Sequence, residues 1–258
     1  PELHLDTPLF NHHPEIRRFF PPHHEREHLS NECTVENQNR TAQACPLCHM
    51  TDIDRSSRIR ERDYLLCRTC DALFVPTEQY LSANDEKAQY DHHDNRPDDP
   101  DYRAFLSRMF LPMQQRLPPK SRGLDFGSGP GPTLSLMFEE VGHLMTIYDH
   151  FYSPAHTSLD RHYDFITATE VVEHLHRPGF ELGRLWSILN PGGFLGVMTQ
   201  LVPQEKSLDD WHYLKDPTHV CFFSRSTCEW LAEHWQANLT FLEHNVMLFQ
   251  KSYASHTV

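Results

Sequence analysis

A chain of 258 residues with 38% hydrophobic content is long enough to bury a substantial core in one or two domains. Its mean hydropathy of −0.61, without an apolar run approaching the ~18 residues a span requires, excludes a membrane-crossing helix. Thirty-six acids against 23 lysines and arginines give a net charge of −13, which opposes broad, sequence-independent binding to nucleic acid or anionic lipid.

Residues 1–40 are rich in His, Pro, Asn and Glu and hold six of the 20 histidines, at positions 4, 12, 13, 23, 24 and 28. No strand or helix period runs through them, so they read as a solvated, flexible tail; an auxiliary metal site from His12, His13, His23 and His24 is the sharper alternative. No basic start followed by an apolar stretch marks a secretory leader, and the expected compartment is the cytoplasm.

Residues 41–77 read as a compact module built on Cys45-Pro-Leu-Cys48 and Cys67-Arg-Thr-Cys70. Two C-x-x-C pairs at this separation have the spacing of a four-cysteine zinc site, each pair forming a knuckle. Four thiolates close the coordination sphere, which makes the expected zinc structural, and its binding energy would fold a segment too small to stabilise itself. Zinc ribbons can hold RNA, but Arg55, Arg58, Arg60, Arg62 and Arg68 are interleaved with Asp52, Asp54, Glu61 and Asp63, a nearly neutral surface and a poor RNA platform. Packing against the rest of the chain or gating its substrate is the better reading.

Residues 78–118 read as a charged helical linker or lid, broken at the proline-punctuated acidic stretch 94–101. From 119 onward strands and helices alternate: strands near 122–126, 143–148, 163–168, 193–199, 239–245 and 246–250, helices near 133–141, 179–188 and 224–236. That alternation predicts an α/β fold, a Rossmann-like doubly wound and mostly parallel sheet covered on both faces, with the small cysteine module ahead of it.

The first of these strands runs into Asp125-Phe-Gly-Ser-Gly-Pro-Gly131. Glycines at 127, 129 and 131 let backbone approach a ligand and permit φ > 0, the chemistry of a nucleotide cradle. The spacing G-x-G-x-G followed by Pro132 departs from the dinucleotide fingerprint G-x-G-x-x-G, which weakens an NAD reading. The second strand ends in Asp149, placed to accept both ribose hydroxyls.

Two further segments follow, Tyr163-Asp-Phe-Ile with Glu170-Val-Val-Glu-His174, and Leu189-Asn-Pro-Gly-Gly193. With these four motifs in order the chain resembles the class I S-adenosylmethionine-dependent methyltransferases, and among them the group containing the ubiquinone-biosynthesis O-methyltransferases, which carry a similar E-x-x-E-H segment. The resemblance covers residues 119 to about 200. It implies S-adenosylmethionine as cofactor, held by Asp125, Gly127, Ser128, Gly129 and Gly131 at the methionine end, by Asp149 at the ribose, and by Thr169 and Glu170 beyond strand four. It also implies a divalent cation at Glu170, Glu173 and His174, where helix-start acids acting as caps are the plain alternative. Only 13 residues separate Asp149 from Tyr163, too few for the usual helix and full third strand, so an abbreviated element is expected there, with Asp160 a candidate adenine contact.

Methyl transfer uses an already activated donor, so the protein mainly aligns the acceptor and, for a hydroxyl, removes a proton. His219 in Asp216-Pro-Thr-His219 is the first-choice base, oriented by Asp216, with Glu173 and His174 as further catalytic candidates. Trp211, Tyr213, Phe222 and Phe223 read as core, and Cys221 and Cys228 as buried small hydrophobes. The expected division is therefore 1–40 tail, 41–77 zinc ribbon, 78–118 linker or lid, and 119–258 cofactor-binding domain, acting on a small-molecule acceptor at oxygen without nucleic acid. The alternatives are an RNA methyltransferase reading its substrate with the ribbon, and a non-catalytic scaffold that retains the fold.

Overall fold

The computed structural model describes residues 43–92, 95–204, 208–243 and 245–253; the histidine-rich tail lies outside them. The unit Ala42–Val258 is built on two sheets. The larger has six strands in the order β5-β4-β6-β7-β10-β9: β4 is Arg122–Phe126, β5 Leu144–Tyr148, β6 Tyr163–Thr169, β7 Leu189–Met198, β9 Asn238–Leu242 and β10 Val246–Gln250. β5, β4, β6 and β7 are mutually parallel, and β10 runs antiparallel to both β7 and β9.

Alternation along the central strands sends side chains to opposite faces. Phe165, Met198 and Leu248 pack with Leu106, Met109 and Met113 of α2 (Pro100–Gln114) and with Leu134 and Phe138 of α3 (Thr133–Glu140). Ile166, Leu195, Val197 and Phe249 pack with Leu182 and Leu185 of α4 (Pro178–Ser187) and with Cys228 and Leu231 of α5 (Arg225–Trp235). Both faces of a parallel sheet are thereby covered, as its unbroken apolar strands demand. Asp99 caps α2 through its carboxylate, and Ser224 with Thr227 forms a capping box on α5.

Two details differ from the sequence expectation. β7 begins at Leu189 rather than near 193, and its pairing passes from Tyr163↔Leu189 to Phe165↔Phe194, so the Pro-Gly-Gly segment is a bulge inside the strand and not a loop before it. β9 stops at Leu242, because Asn245 takes a left-handed turn at φ 60. Between β5 and β6 the chain makes only a short 3-10 turn over His156–Asp160, so β5 lies at the sheet edge.

The smaller sheet is antiparallel, β1-β2-β3-β8, with β1 Ile53–Ile59, β2 Arg62–Cys67 and β3 Leu73–Phe74. Its fourth strand, β8 at Cys221–Phe222, comes from the segment after β7. The cysteine-bearing segment is thus completed by the distant chain, and Cys45, Cys67 and Cys70 belong to the same apolar cluster as α4 and α5. α1 (Ala83–Tyr90), a polar helix capped by Ser82, lies between the two sheets in sequence. No helix among the described residues is long and apolar enough to cross a membrane.

Candidate active site

The carboxyl ends of β4, β5 and β6 open onto one cavity of about 740 Å³. At one end lies the turn after β4. Gly127 and Gly129 both have positive φ, at 76 and 63, and both line the cavity together with Ser128. A Cβ on Gly127 would stand 2.3 Å from Val171 Cγ2, so this glycine answers to packing as well as to backbone conformation. Gly131 does not line the cavity; a Cβ there would meet the Asn95 carbonyl oxygen at 1.9 Å, and its role is to let the chain ahead of α2 cross the turn.

Asp149 sits opposite, at the end of β5. Its Oδ2 accepts from the Gly129 amide at 2.9 Å, and its Oδ1 accepts from the amides of Phe151 at 2.8 Å and Tyr152 at 3.0 Å. One carboxylate therefore fixes the glycine turn and the following loop, and each oxygen retains lone-pair capacity for a ligand hydroxyl. Asp125 lies beneath the turn instead of on the cavity wall, accepting from Thr167 Oγ1 at 2.8 Å and Ser135 Oγ at 3.3 Å. Burial pushes its carboxyl up to about 6. Thr169 lines the cavity with a buried Oγ1 that has no hydrogen-bond partner, an orphan that a bound ligand would satisfy. Asp160 is exposed and away from this wall; Phe151 and Tyr152 stand there instead.

At the other end the structure gathers the remaining candidates. Glu170, the residue after β6, has φ 51, and a 3-10 turn over Val172–His174 follows. The acids at 170 and 173 therefore do not cap the start of an α-helix. Glu173 is fully buried and lies behind the wall that Glu170, His174 and His219 line. The Tyr213 hydroxyl donates to the Glu173 carboxylate and lies 3.2 Å from Glu170 Oε2 and 3.0 Å from Thr199 Oγ1. Burial, with Glu170 nearby, pushes the Glu173 carboxyl up to about 8, and burial also raises Glu170.

His219 was expected to be oriented by Asp216, and the geometry assigns that part to the backbone. His219 Nδ1 is 2.7 Å from the Tyr213 carbonyl oxygen, which can only accept, so Nδ1 carries the proton and Nε2 holds the lone pair. Asp216 Oδ2 stands 3.7 Å from Nε2, beyond hydrogen-bond length, while its other oxygen accepts from the Thr218 amide and hydroxyl. Burial lowers the imidazole's affinity for a proton, only partly offset by Asp216, so His219 is a neutral base near pH 7. For Asp216, burial acts upward but the Thr218 bonds outweigh it and hold the carboxyl below its ordinary range.

The cation set expected at Glu170, Glu173 and His174 is not the one assembled. Glu173, His174 and His219 each place a ligand atom within 4.8 Å of the others, and Glu170 falls outside that group. Sequence reasoning missed Tyr213 as the polar hub, having read it only as core; it is 5% exposed, so both descriptions hold. It also missed Glu86 and Tyr90 of α1, whose side chains line the cavity and bond to each other at 2.8 Å; a helix with no apolar stripe offers no periodic signal.

The cysteine knuckles are near copies. In each, the first cysteine amide bonds the carbonyl five residues on, Cys45 to Met50 at 2.9 Å and Cys67 to Ala72 at 3.0 Å, and the residue after the second cysteine is left-handed, His49 at φ 63 and Asp71 at φ 59. The four Sγ atoms lie within 4.8 Å of one another. This module touches the site: Arg62 donates to the Asp216 and Pro217 carbonyls at 3.3 and 2.9 Å, and the Val75 amide donates at 2.9 Å to the carbonyl of Val220, whose own amide donates to the Glu173 carbonyl at 2.8 Å.

A parallel α/β sheet with a glycine turn and a strand-end acid facing one cavity defines a nucleotide-type cofactor enzyme. A family model described as a methyltransferase domain matches residues 50–244, and the chain belongs to that family, as an S-adenosylmethionine-dependent methyltransferase. No curated protein matched the sequence. Among solved structures it is similar to the 1,6-didemethyltoxoflavin-N1-methyltransferase of Burkholderia thailandensis, solved with 1,6-didemethyltoxoflavin and S-adenosylhomocysteine, at 17% identity over 70% of this chain and 96% of that one, TM-score 0.46. It is also similar to an O-methyltransferase family protein of the same organism, at 12% identity over 66% of this chain and 64% of that one, TM-score 0.43. For DesVI of Streptomyces venezuelae the figures are 13% identity, 67% and 99% coverage, and TM-score 0.44.

Proposed function

We propose that the protein methylates a hydroxyl of a small molecule in the cytoplasm, with the cofactor against the glycine turn and the acceptor at the His219 end of the cavity. The observation that carries this reading is the single cavity with Gly127, Gly129, Asp149 and Thr169 at one end and Glu170, His174, Asp216 and His219 at the other. Backbone at 127–129 would receive the methionine portion of S-adenosylmethionine and Asp149 the ribose diol; Asp125, accepting from Thr167 and Ser135, lies behind the turn and not on the cavity wall. When bound, that cofactor supplies a sulfonium-activated methyl group. His219 Nε2, neutral and unprotonated, takes the acceptor proton as the methyl group transfers, and the Tyr213 carbonyl stabilises the charged ring that results. Glu173 acts through Tyr213, holding the ring and carbonyl that position His219.

We assign the four sulfurs to a structural zinc ion and residues 41–77 to a zinc ribbon whose sheet is finished by β8. Matched knuckles and four converging sulfurs support it. The division at 78 and 119 belongs to the same proposal, with α1 forming part of the cavity wall from the linker.

Thermal unfolding of zinc-loaded protein with S-adenosylhomocysteine, S-adenosylmethionine or NAD tests the cofactor assignment, since a ligand bound only to the folded state raises Tm. The first two are expected to raise it and NAD to leave it unchanged; a shift with NAD alone would overturn the assignment. Removal of metal by a chelator is expected to lower Tm and expose the thiols of Cys45, Cys48, Cys67 and Cys70 to a thiol reagent, and unchanged thiol reactivity would refute the zinc site.

A further inference from the structure

We propose that the methylated molecule is an amino alcohol, with a protonated amine on the carbon next to the hydroxyl that His219 deprotonates, and with Asp216 and Glu86 holding that amine. This deepens the hydroxyl-methylation reading above and rests on it. His219 Nε2 and Asp216 Oδ2 stand 3.7 Å apart, and both residues line the cavity. Both atoms are acceptors. Nε2 holds a lone pair because Nδ1 is committed to the Tyr213 carbonyl, and Asp216 Oδ1 is taken by the Thr218 amide and hydroxyl, which leaves Oδ2 for a ligand. His219 is only 7% exposed, and among the described residues no donor reaches its Nε2, so a ligand donor is what satisfies it. Two donors on neighbouring carbons span such a gap with bonds of ordinary length.

The sign of the wall says which donors they are. Glu86 of α1, a buried carboxyl on the same cavity, accepts from the Tyr90 hydroxyl at 2.8 Å through Oε1, with His176 Nε2 3.4 Å from Oε2. Glu86 and Asp216 converge from two elements: the Tyr90 hydroxyl is pushed up by burial, then by Glu86, with Asp216 adding to it. Among the described residues no lysine or arginine pairs with either carboxyl. Arg62 spends its bonds on the backbone carbonyls of 216 and 217, Arg184 pairs with Glu181 at 2.9 Å, and Arg177 lies over the Phe180 ring. Acids taken out of water without a counter-charge are costly, and an entering ammonium supplies that charge through the stronger, charge-assisted kind of hydrogen bond. The same wall repels a carboxylate or phosphate on the acceptor. In the transfer the hydroxyl oxygen takes the methyl group, its proton passes to His219 Nε2, and the carbon–sulfur bonding pair stays on sulfur, giving a methyl ether and S-adenosylhomocysteine. The ammonium, having no lone pair, is left unmethylated.

The test titrates protein loaded with S-adenosylhomocysteine with three probes of one shape, trans-2-aminocyclohexanol, trans-cyclohexane-1,2-diol and trans-2-hydroxycyclohexanecarboxylate, followed by ligand-observed NMR. The amino alcohol is expected to bind roughly 10-fold tighter than the diol, as a charge-assisted bond exceeds a neutral one, and the hydroxy acid weakest. Asp216→Asn keeps an oxygen for Thr218 and is expected to erase most of the preference for the amine. Should that variant lose its circular dichroism spectrum, Glu86→Gln on α1 provides the same test. A diol or hydroxy acid that binds as tightly as the amino alcohol, no binding of any probe in the millimolar range, or an unchanged preference in the variants would each overturn the proposal. Calorimetry of S-adenosylhomocysteine on the same sample separates the two readings. Loss of that affinity takes both down, whereas retained affinity without a preference for the amine overturns this proposal alone.

Discussion

Replacing Asp125 by asparagine should make the protein more stable at neutral pH and leave it nearly unchanged in mild acid. The carboxyl is buried under the glycine turn, where it accepts from the hydroxyls of Thr167 and Ser135, and burial pushes it up to about 6. In the unfolded chain the same group titrates near ~3.9. The native state thus holds the proton more tightly, and between about pH 4 and pH 6 it carries more protons than the unfolded state. Stability consequently falls as pH rises through that window, and the whole penalty is present above about pH 6. Two units correspond to roughly 3 kcal/mol. Asparagine keeps the shape, accepts from Thr167 and never ionises, at a cost of about 1 kcal/mol for an imperfect bond to Ser135. Urea unfolding of both proteins at pH 4.5, 6 and 8 should show the variant gaining ~2 kcal/mol on the wild type between the lowest and highest pH. A difference that does not change with pH, or that grows toward acid, would refute the reasoning.

Gly127→Ala should destabilise by roughly 2–4 kcal/mol, from a left-handed non-glycine residue and a Cβ 2.3 Å from Val171. Adding Val171→Ala should recover only the steric part, measured by denaturant unfolding of the double mutant. Asp149→Ala leaves the amides of Gly129, Phe151 and Tyr152 without their acceptor, so calorimetry should find S-adenosylhomocysteine affinity reduced at least ~10-fold and unfolding should find a loss of about 1–3 kcal/mol. Arg62→Met removes two donors from the Asp216–Pro217 carbonyls; Tm should fall while zinc content and S-adenosylhomocysteine affinity stay at wild-type values, because Arg62 bonds the acceptor end of the cavity and neither the cysteines nor the glycine turn.

The cofactor end was legible because it is local. β4, the turn and β5 follow one another, and Asp149 reaches Gly129 across only 20 positions. The acceptor end was legible in its parts and not in its arrangement. Glu173, His174, Asp216 and His219 were each singled out, but the bond from Tyr213 to Glu173 spans 40 positions, and an aromatic flanked by Trp211 and Phe222 gives no sign in sequence that its hydroxyl is used. The orienting group for His219 was missed because it is a backbone carbonyl, which every residue has. Likewise the two residues of β8 carry too little pattern to show that they pair with Leu73 and Phe74.

That short strand also sets an order of events during synthesis. The knuckles and hairpin around Cys45 to Cys70 leave the ribosome early, yet β3 gains its outer partner only when Cys221 and Phe222 emerge, and the Asp71 carboxylate waits 153 residues for the Ser224 hydroxyl. Closing so long a loop is slow relative to local pairing. Until then one edge of the early sheet is open to any extended chain that meets it, so β8 both anchors the segment that carries His219 and closes a hydrogen-bonding rim of the nascent protein.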